Sequence, residues 1–293
     1  MHERGRRMKS LIAGLGLIAL CAACAMGPHE HADTAPPRAV ALVPIATARP
    51  AIALVLGAGG TRGFAHVGVI KALEAAGIEA DIVVGSSSGS VVAALYAGGL
   101  RAEQLADMAL QVADHDLIDF TLFGPSRVQG AALQRYVNSA LDHRPIESLP
   151  RSFAVVVTER ENRCMHVFNR GNTGLAVRAS SSIPDVFWPV LIEGVEYVDG
   201  GLVSRVPVEV ARRMGAEVVV AVDVSWRGTA EAASADVLIR PEAPRTRTLD
   251  FSGKLASIAA GEAAARAALP EIRSRIATAG LARQQREPTS AAR

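Results

Sequence analysis

The pentapeptide Gly85-Ser86-Ser87-Ser88-Gly89 constrains this chain more than any other stretch. An apolar run, Asp81-Ile82-Val83-Val84, leads into it, and a small-residue helical run, Ser90-Val91-Val92-Ala93-Ala94-Leu95-Tyr96, leads out. The pattern is strand, tight turn, helix. G-x-S-x-G in that setting puts Ser87 on a sharp turn at the carboxyl edge of a sheet, with glycine at 85 and 89 because side chains there would meet the neighbouring strand and helix. The hydroxyl then projects beside the positive N-terminus of the following helix, which favours a developing anion. Ser87 is therefore the candidate nucleophile. A Ser/Gly-rich turn that only caps a helix is the plainer reading of the same residues.

A sheet of that kind needs a sizeable core. The 293 residues are 49% hydrophobic and 20% charged, enough for one large α/β domain of the common ~200–250-residue size. Aromatics are scarce and Ala, Val and Gly plentiful, as helices packed closely on a Val-rich parallel sheet require. Residues 1–23 hold four basic residues (Arg4, Arg6, Arg7, Lys9) and one acid (Glu3), so the rest of the chain carries 27 basic and 28 acidic side chains. That balance gives no electrostatic case for nucleic acid as a partner.

The N-terminus runs from its basic stretch into an apolar segment, Leu11 to Leu20, interrupted by Gly14 and Gly16. It is too short to span a bilayer as a helix and suits a signal peptide over 1–23. Ala22-Ala23 before Cys24 resembles a bacterial lipoprotein processing site, which implies a lipid on Cys24, a membrane anchor and a cell-envelope location, with the outer membrane preferred because Ala25 follows. Cys21 stands where a Leu is usual, so simple secretion is the alternative. Residues 24–50, with Pro28, Pro36, Pro37, Pro44 and Pro50, are expected to bury little and to form a flexible tether. His29 and His31 fall in it and read as solvated. The domain is expected over 51–285, with a frayed tail at 286–293.

The domain opens on an apolar strand, Ile52 to Leu56, then Gly57-Ala58-Gly59-Gly60-Thr61-Arg62-Gly63, then a helix from Phe64 to Ala76. A glycine loop between strand and helix is an anion cradle of backbone N–H groups. The dinucleotide fingerprint would need glycine at 62, where Arg62 stands, and the NTPase phosphate loop would need Gly-Lys-Ser/Thr. Both nucleotide readings are disfavoured, and no cofactor is expected. As an oxyanion hole the loop offers Gly59 and Gly60 as donors, with Arg62 holding the loop or meeting a phosphate group.

Further strands are expected at Phe153–Thr158, Cys164–Phe168, Glu217–Val224 and Asp236–Arg240, and a helix at 253–269 ahead of Pro270. The stretch His115 to Ser126 reads as core rather than as a lipid-facing lid, and Cys164 as a buried thiol. Val195 to Val198 runs as a strand into Asp199-Gly200-Gly201, which leaves Asp199 at a strand end among the groups at the sheet's carboxyl edge. A hydroxyl needs a base. The seven histidines are 2, 29, 31, 66, 115, 143 and 166, and none follows Asp199, so the Ser–acid–His order of the α/β-hydrolases cannot use it. His66 has the setting of a packed, hydrogen-bonded side chain. A Ser87–Asp199 pair remains, with the carboxylate taking the hydroxyl proton directly.

Gly57–Gly63, Gly85–Gly89 and Asp199-Gly200-Gly201 together, in this order, resemble the three motifs of the patatin-like phospholipases, and the run 206–224 is similar to their small bacterial members. The resemblance covers about 51–285. It implies a three-layer α/β/α sandwich with a mostly parallel central sheet, a Ser87–Asp199 dyad, oxyanion donors at Gly59 and Gly60, and metal-free hydrolysis of lipid acyl esters. Ala58 replaces a frequent glycine, the segment Thr158 to Asn162 lacks an Asp-bearing turn, and Asp185 stands where Gly is common. The neighbours of Ala58 keep the oxyanion donors, and the last two departures bear on substrate preference rather than chemistry. A catalytically silent lipid-binding envelope protein and a lipid acyltransferase are the rival functions.

Overall fold

Pentapeptides that are apolar on both faces can be satisfied only inside a sheet covered on both sides, and three such runs form its centre. The strands are β1 (Ile52–Leu56), β2 (Ile82–Ser86), β3 (Ser152–Glu159), β4 (Met165–Phe168), β5 (Val190–Ile192), β6 (Val195–Val198), β7 (Val218–Val222) and β8 (Val237–Ile239). In this computed structural model, which describes residues 35–286 apart from 123, 226, 227, 246 and 248, they make one sheet in the order β5-β6-β3-β2-β1-β7-β8, with β4 beside β3. From β3 to β8 all neighbours are parallel, while β4, β5 and β6 are antiparallel additions at one side. The signal peptide expected over 1–23, Cys24, and the tail beyond 286 lie outside the described residues.

Alternation along the strands sorts the core into two layers. Leu54, Leu56, Val83 and Val155 face one way, against the helices α1 (Ala65–Ala75), α2 (Ser88–Ala97), α3 (Ala102–Gln111), α5 (Ala131–Ala140) and α6 (Thr173–Ser180). A single turn, α4 (Asp114–Leu117), precedes α5. Ala53, Val55, Val84 and Val156 face the other way, against α7 (Val208–Arg213). The result is the expected three-layer α/β/α sandwich, with its second helical layer thin. The last helix, α8 (Lys254–Arg286), was expected to stop before Pro270 but runs through it. Proline costs one hydrogen bond and a steric clash; the buried stripe Ile258, Ala265 and Ile272 continues past it at intervals of two turns. Packing outweighs the local penalty. No described helix is long and apolar enough to cross a membrane.

Three other expectations change. The stretch 24–50 was read as a tether, yet its described part, 35–50, is bonded to the domain along the amino edge of the sheet. Asn172 donates its amide to Ala35 O, Arg38 to Arg170 O and Ile45 to Met214 O, and Arg49 forms a bidentate pair with Asp81. Leu42 and Ile45 pack on the thin-layer face. Proline-rich composition limits burial, but an extended chain still uses its amides and carbonyls, and the domain boundary falls near 35 rather than 51. Cys164, expected to be buried, is an exposed free thiol at the tip between β3 and β4. The antiparallel course of β6, finally, brings Asp199 to the site from an unexpected direction. β3 extends beyond the end of β2, and β6 pairs on that overhang through Thr158 and Glu159.

Candidate active site

β2 ends at Ser86 and α2 begins at Ser88, so the chain reverses on one residue. Ser87 has φ 52° and ψ −130°, a conformation that costs a residue with a Cβ ~1–3 kcal/mol and persists only where the surroundings over-determine it. They do so here. The Ser87 amide donates to Ser180 Oγ at 2.9 Å, and its carbonyl accepts from the Ser90 amide at 2.8 Å, from Ser90 Oγ at 2.6 Å and from Ser181 Oγ at 3.2 Å. The flanking glycines are steric necessities: a Cβ on Gly85 would lie 2.4 Å from Ser90 Cα, and one on Gly89 would lie 2.1 Å from the Leu56 carbonyl oxygen.

Ser87 Oγ donates to Asp199 Oδ2 at 2.5 Å. The other carboxylate oxygen accepts from the Gly201 amide at 2.7 Å, and the residue's own backbone is tied on both sides, its amide to Ser182 O at 2.9 Å and its carbonyl to Thr158 Oγ1 at 2.7 Å. Burial raises the Asp199 pKa to about 6, against the hydrogen bonds from Ser87 and Gly201 and the charge of Arg205, which pull it down. At neutral pH the group is therefore mostly ionised, yet basic enough to accept a proton in a site shielded from water. A hydroxyl hydrogen-bonded to such a carboxylate can pass it a proton as it attacks an electrophile.

The glycine loop closes the site from the other side, as a short turn from Gly60 to Phe64 ahead of α1. Its course is set by three amides: Gly57 to Val222 O, Ala58 to Arg205 O, and Gly59 to Ser88 Oγ at 3.2 Å. Of the two glycines expected as donors, Gly60 lines the cavity beside Ser87, while Gly59 has its amide engaged by Ser88. Arg62 donates from Nε to the Gly59 carbonyl at 3.3 Å and so holds the loop. Burial lowers its pKa, with Asp223 acting the other way.

His66 is fully buried, with Nε2 2.9 Å from the Gly57 carbonyl. A carbonyl only accepts, so Nε2 carries the proton and the ring is neutral; burial lowers its pKa to about 4. It is packed and hydrogen-bonded, as expected, and does not line the cavity. No group of three His, Cys, Asp or Glu able to hold a metal occurs among the described residues.

Ser87 opens onto a cavity of about 130 Å³, smaller than the ~300–1,000 Å³ of drug-sized ligand sites. Ser87, Ser88, Ser181 and the glycine loop form its polar end; Val91, Leu133, Ile183, Phe187, Leu249 and Phe251 make apolar walls. The stretch 115–126, expected as core, is divided. Leu117 and Ile118 wall the cavity, whereas Phe120 and Leu122 are 71% and 95% exposed. Sequence reasoning also missed the run Ser180-Ser181-Ser182, whose hydroxyls and carbonyls hold the backbones of both Ser87 and Asp199. Its signal was a second triplet of serines at a helix end, matching Ser86-Ser87-Ser88.

Residues 54–212 match the family model described as patatin-like phospholipase. Over 181 residues the chain is 36% identical to mouse (Mus musculus) patatin-like phospholipase domain-containing protein 6, covering 59% of this chain and 13% of that protein. Over 180 residues it is 35% identical to lysophospholipase nte1 of Aspergillus fumigatus, covering 59% and 12%. The chain thus matches only about an eighth of the length of these relatives. Among solved structures, VipD from Legionella pneumophila superposes with a TM-score of 0.54 at 13% identity, over 86% of this chain and 72% of that one. ExoU of Pseudomonas aeruginosa, in complex with SpcU, gives 0.50 at 14% identity, over 78% and 53%. These two likenesses establish the fold.

Proposed function

The chain belongs to the patatin-like phospholipase family, and from that premise we propose that it is a serine hydrolase cleaving acyl esters of phospholipids or lysophospholipids through an acyl-enzyme. The observation that carries this is the 2.5 Å hydrogen bond from Ser87 Oγ to Asp199 Oδ2 at the polar end of an apolar cavity. The acyl chain lies in the cavity with its carbonyl carbon at Ser87. As Oγ attacks, its proton passes to Asp199, and the carbonyl oxygen becomes an oxyanion. The donors that meet it are the amides of Gly60 and of Ser88, the first residue of α2, whose N–H has no intrahelical partner. Each such donor stabilises the oxyanion by ~3–4 kcal/mol. Gly59 joins them only when Ser88 Oγ releases its amide, and Arg62 acts through the loop. Collapse expels the alcohol, which takes the proton from Asp199. Water, deprotonated by the same carboxylate, then attacks the acyl-enzyme and frees the fatty acid. The relatives named phospholipase and lysophospholipase favour glycerophospholipid esters as substrates.

Incubation with a fluorophosphonate probe is expected to leave a single adduct on Ser87. Mass analysis of products from a defined lipid panel is expected to show free fatty acid and the matching lysolipid or glycerophosphodiester. Folded protein with no adduct at Ser87 and no product would sink the proposal; transfer of the acyl group to an added alcohol in preference to water would make the protein an acyltransferase.

We also propose that Cys24 carries a lipid that tethers the protein to the membranes of a cell envelope. The basis is the basic, then apolar, then small-residue order of 4–24. Cys24→Ser is expected to shift the protein from the membrane pellet to the soluble fraction; an unchanged distribution together with an unacylated Cys24 overturns it.

A further inference from the structure

Large apolar side chains scattered singly over a surface need no explanation, and Val43, Leu191, Leu255 and Leu281 are of that kind. Phe120 and Leu122 differ in their placement. They stand two residues apart on a loop whose incoming arm, Leu117 and Ile118, is part of the cavity wall. The loop is braced from within. The Thr121 amide donates to Arg127 O, Val128 bridges to Phe187 in the opposite wall, and Trp188 donates from its indole N–H to Ser126 O at 3.0 Å. A Cβ on Gly124 would lie 1.9 Å from the Trp188 ring, so the loop rests directly on that side chain. Its exposed apolar pair is thus held in place, and it continues the cavity's apolar wall out to the surface.

The charges around this edge are mixed. Arg127 is exposed on the return arm, and Arg245 and Arg247 are exposed on the segment leading to Leu249 and Phe251. Thr61 Oγ1 donates to Arg247 O, which keeps that segment beside the glycine loop. Of the nearby acids, Asp119 is turned inward onto the Gly130 and Ala132 amides and Asp250 accepts from Ser252, while Asp114, Asp116 and Asp185 are exposed.

We propose that this edge docks on an anionic phospholipid bilayer, with Phe120 and Leu122 entering the boundary between headgroups and acyl chains and Arg127, Arg245 and Arg247 meeting the phosphates. An amphipathic edge of this composition binds by buried apolar area together with attraction to anionic lipid. The proposal rests on the hydrolase reading and deepens it. Docking sets the cavity mouth against the bilayer, so a chain moves from acyl layer to apolar wall without crossing water.

The test uses the full chain with Cys24→Ser throughout, so that no acyl anchor at that position contributes. Flotation with phosphatidylcholine–phosphatidylglycerol vesicles is compared for this protein and for one also carrying Phe120→Ser and Leu122→Ser. The bound fraction at fixed lipid is expected to fall at least about tenfold, and hydrolysis of vesicle phospholipid with it. Turnover of the soluble ester p-nitrophenyl butyrate is expected to stay within about twofold, because neither side chain lines the cavity. Arg245→Gln with Arg247→Gln is expected to weaken binding to the mixed vesicles and to leave binding to phosphatidylcholine alone nearly unchanged. Unaltered flotation of the Phe120/Leu122 variant overturns the proposal, as does a change in its solution mass that reveals the patch as a contact between copies. Absence of soluble-ester turnover in the unsubstituted protein counts against the hydrolase reading instead, and flotation still decides the docking.

Discussion

Ser87→Ala is expected to remove acyl-ester turnover almost completely, by roughly 10⁵–10⁶-fold as for other serine nucleophiles, and to abolish fluorophosphonate labelling. The fold is expected to survive, because the hydrogen bonds that hold residue 87 use its amide and carbonyl and alanine bears the same backbone strain as serine. A circular dichroism spectrum and a cooperative melt check that point beside the assay. The substitution also removes one of the groups that lower the pKa of Asp199, so that carboxyl is expected to titrate above its present value of about 6. Retention of more than about a thousandth of the activity would show that another group attacks the ester.

Asp199→Asn is expected to lower kcat by about 10³–10⁴-fold, the upper range for loss of a general base, with KM little changed. In the unsubstituted protein the carboxylate must be ionised to accept the proton, so kcat/KM is expected to rise with pH through about 6 and then level off; this limb should vanish in the variant. Stability has the opposite dependence. The folded-state pKa lies above the unfolded one, so folding is favoured by this group at low pH, and that contribution is lost as pH rises through about 6. Above that, holding the bare carboxylate costs the fold up to roughly 3 kcal/mol. Asparagine carries no charge, keeps an oxygen for the Gly201 amide and offers its NH₂ to Ser87 Oγ. It is expected to raise the melting temperature at pH 8 and to change it little at pH 4. A variant that lost activity and stability together would show Asp199 to be a structural support.

The parts of this molecule written in local chemistry were legible in its sequence. β1 matched to the residue, because five apolar positions between Ala51 and a glycine loop admit little else. The turn at Ser87 was readable because Gly85 and Gly89 are forced by atoms of adjoining segments. The pairing of Ser87 with Asp199 followed from the absence of a histidine after 199. What depended on distant partners was not readable. Nothing in Val195–Val198 says that it lies antiparallel on the overhang of β3. The amides of 35–45 bond to Met214 and to the 169–172 turn, more than a hundred residues away. Cys164 is exposed because a hairpin tip happens to carry it, and Phe120 looks like core in any window of sequence. Helix α8 passes Pro270 because of its partner surface, which local propensity does not contain.

The carboxyl end of α6 has a further consequence. Ser180 and Ser181 hold the backbone of residue 87, and Ser182 holds that of residue 199, so three consecutive residues link Ser87 to Asp199. A shift of that helix end would therefore pull on both residues at once. A substitution within this triplet reaches both sides of the 2.5 Å hydrogen bond between Ser87 and Asp199.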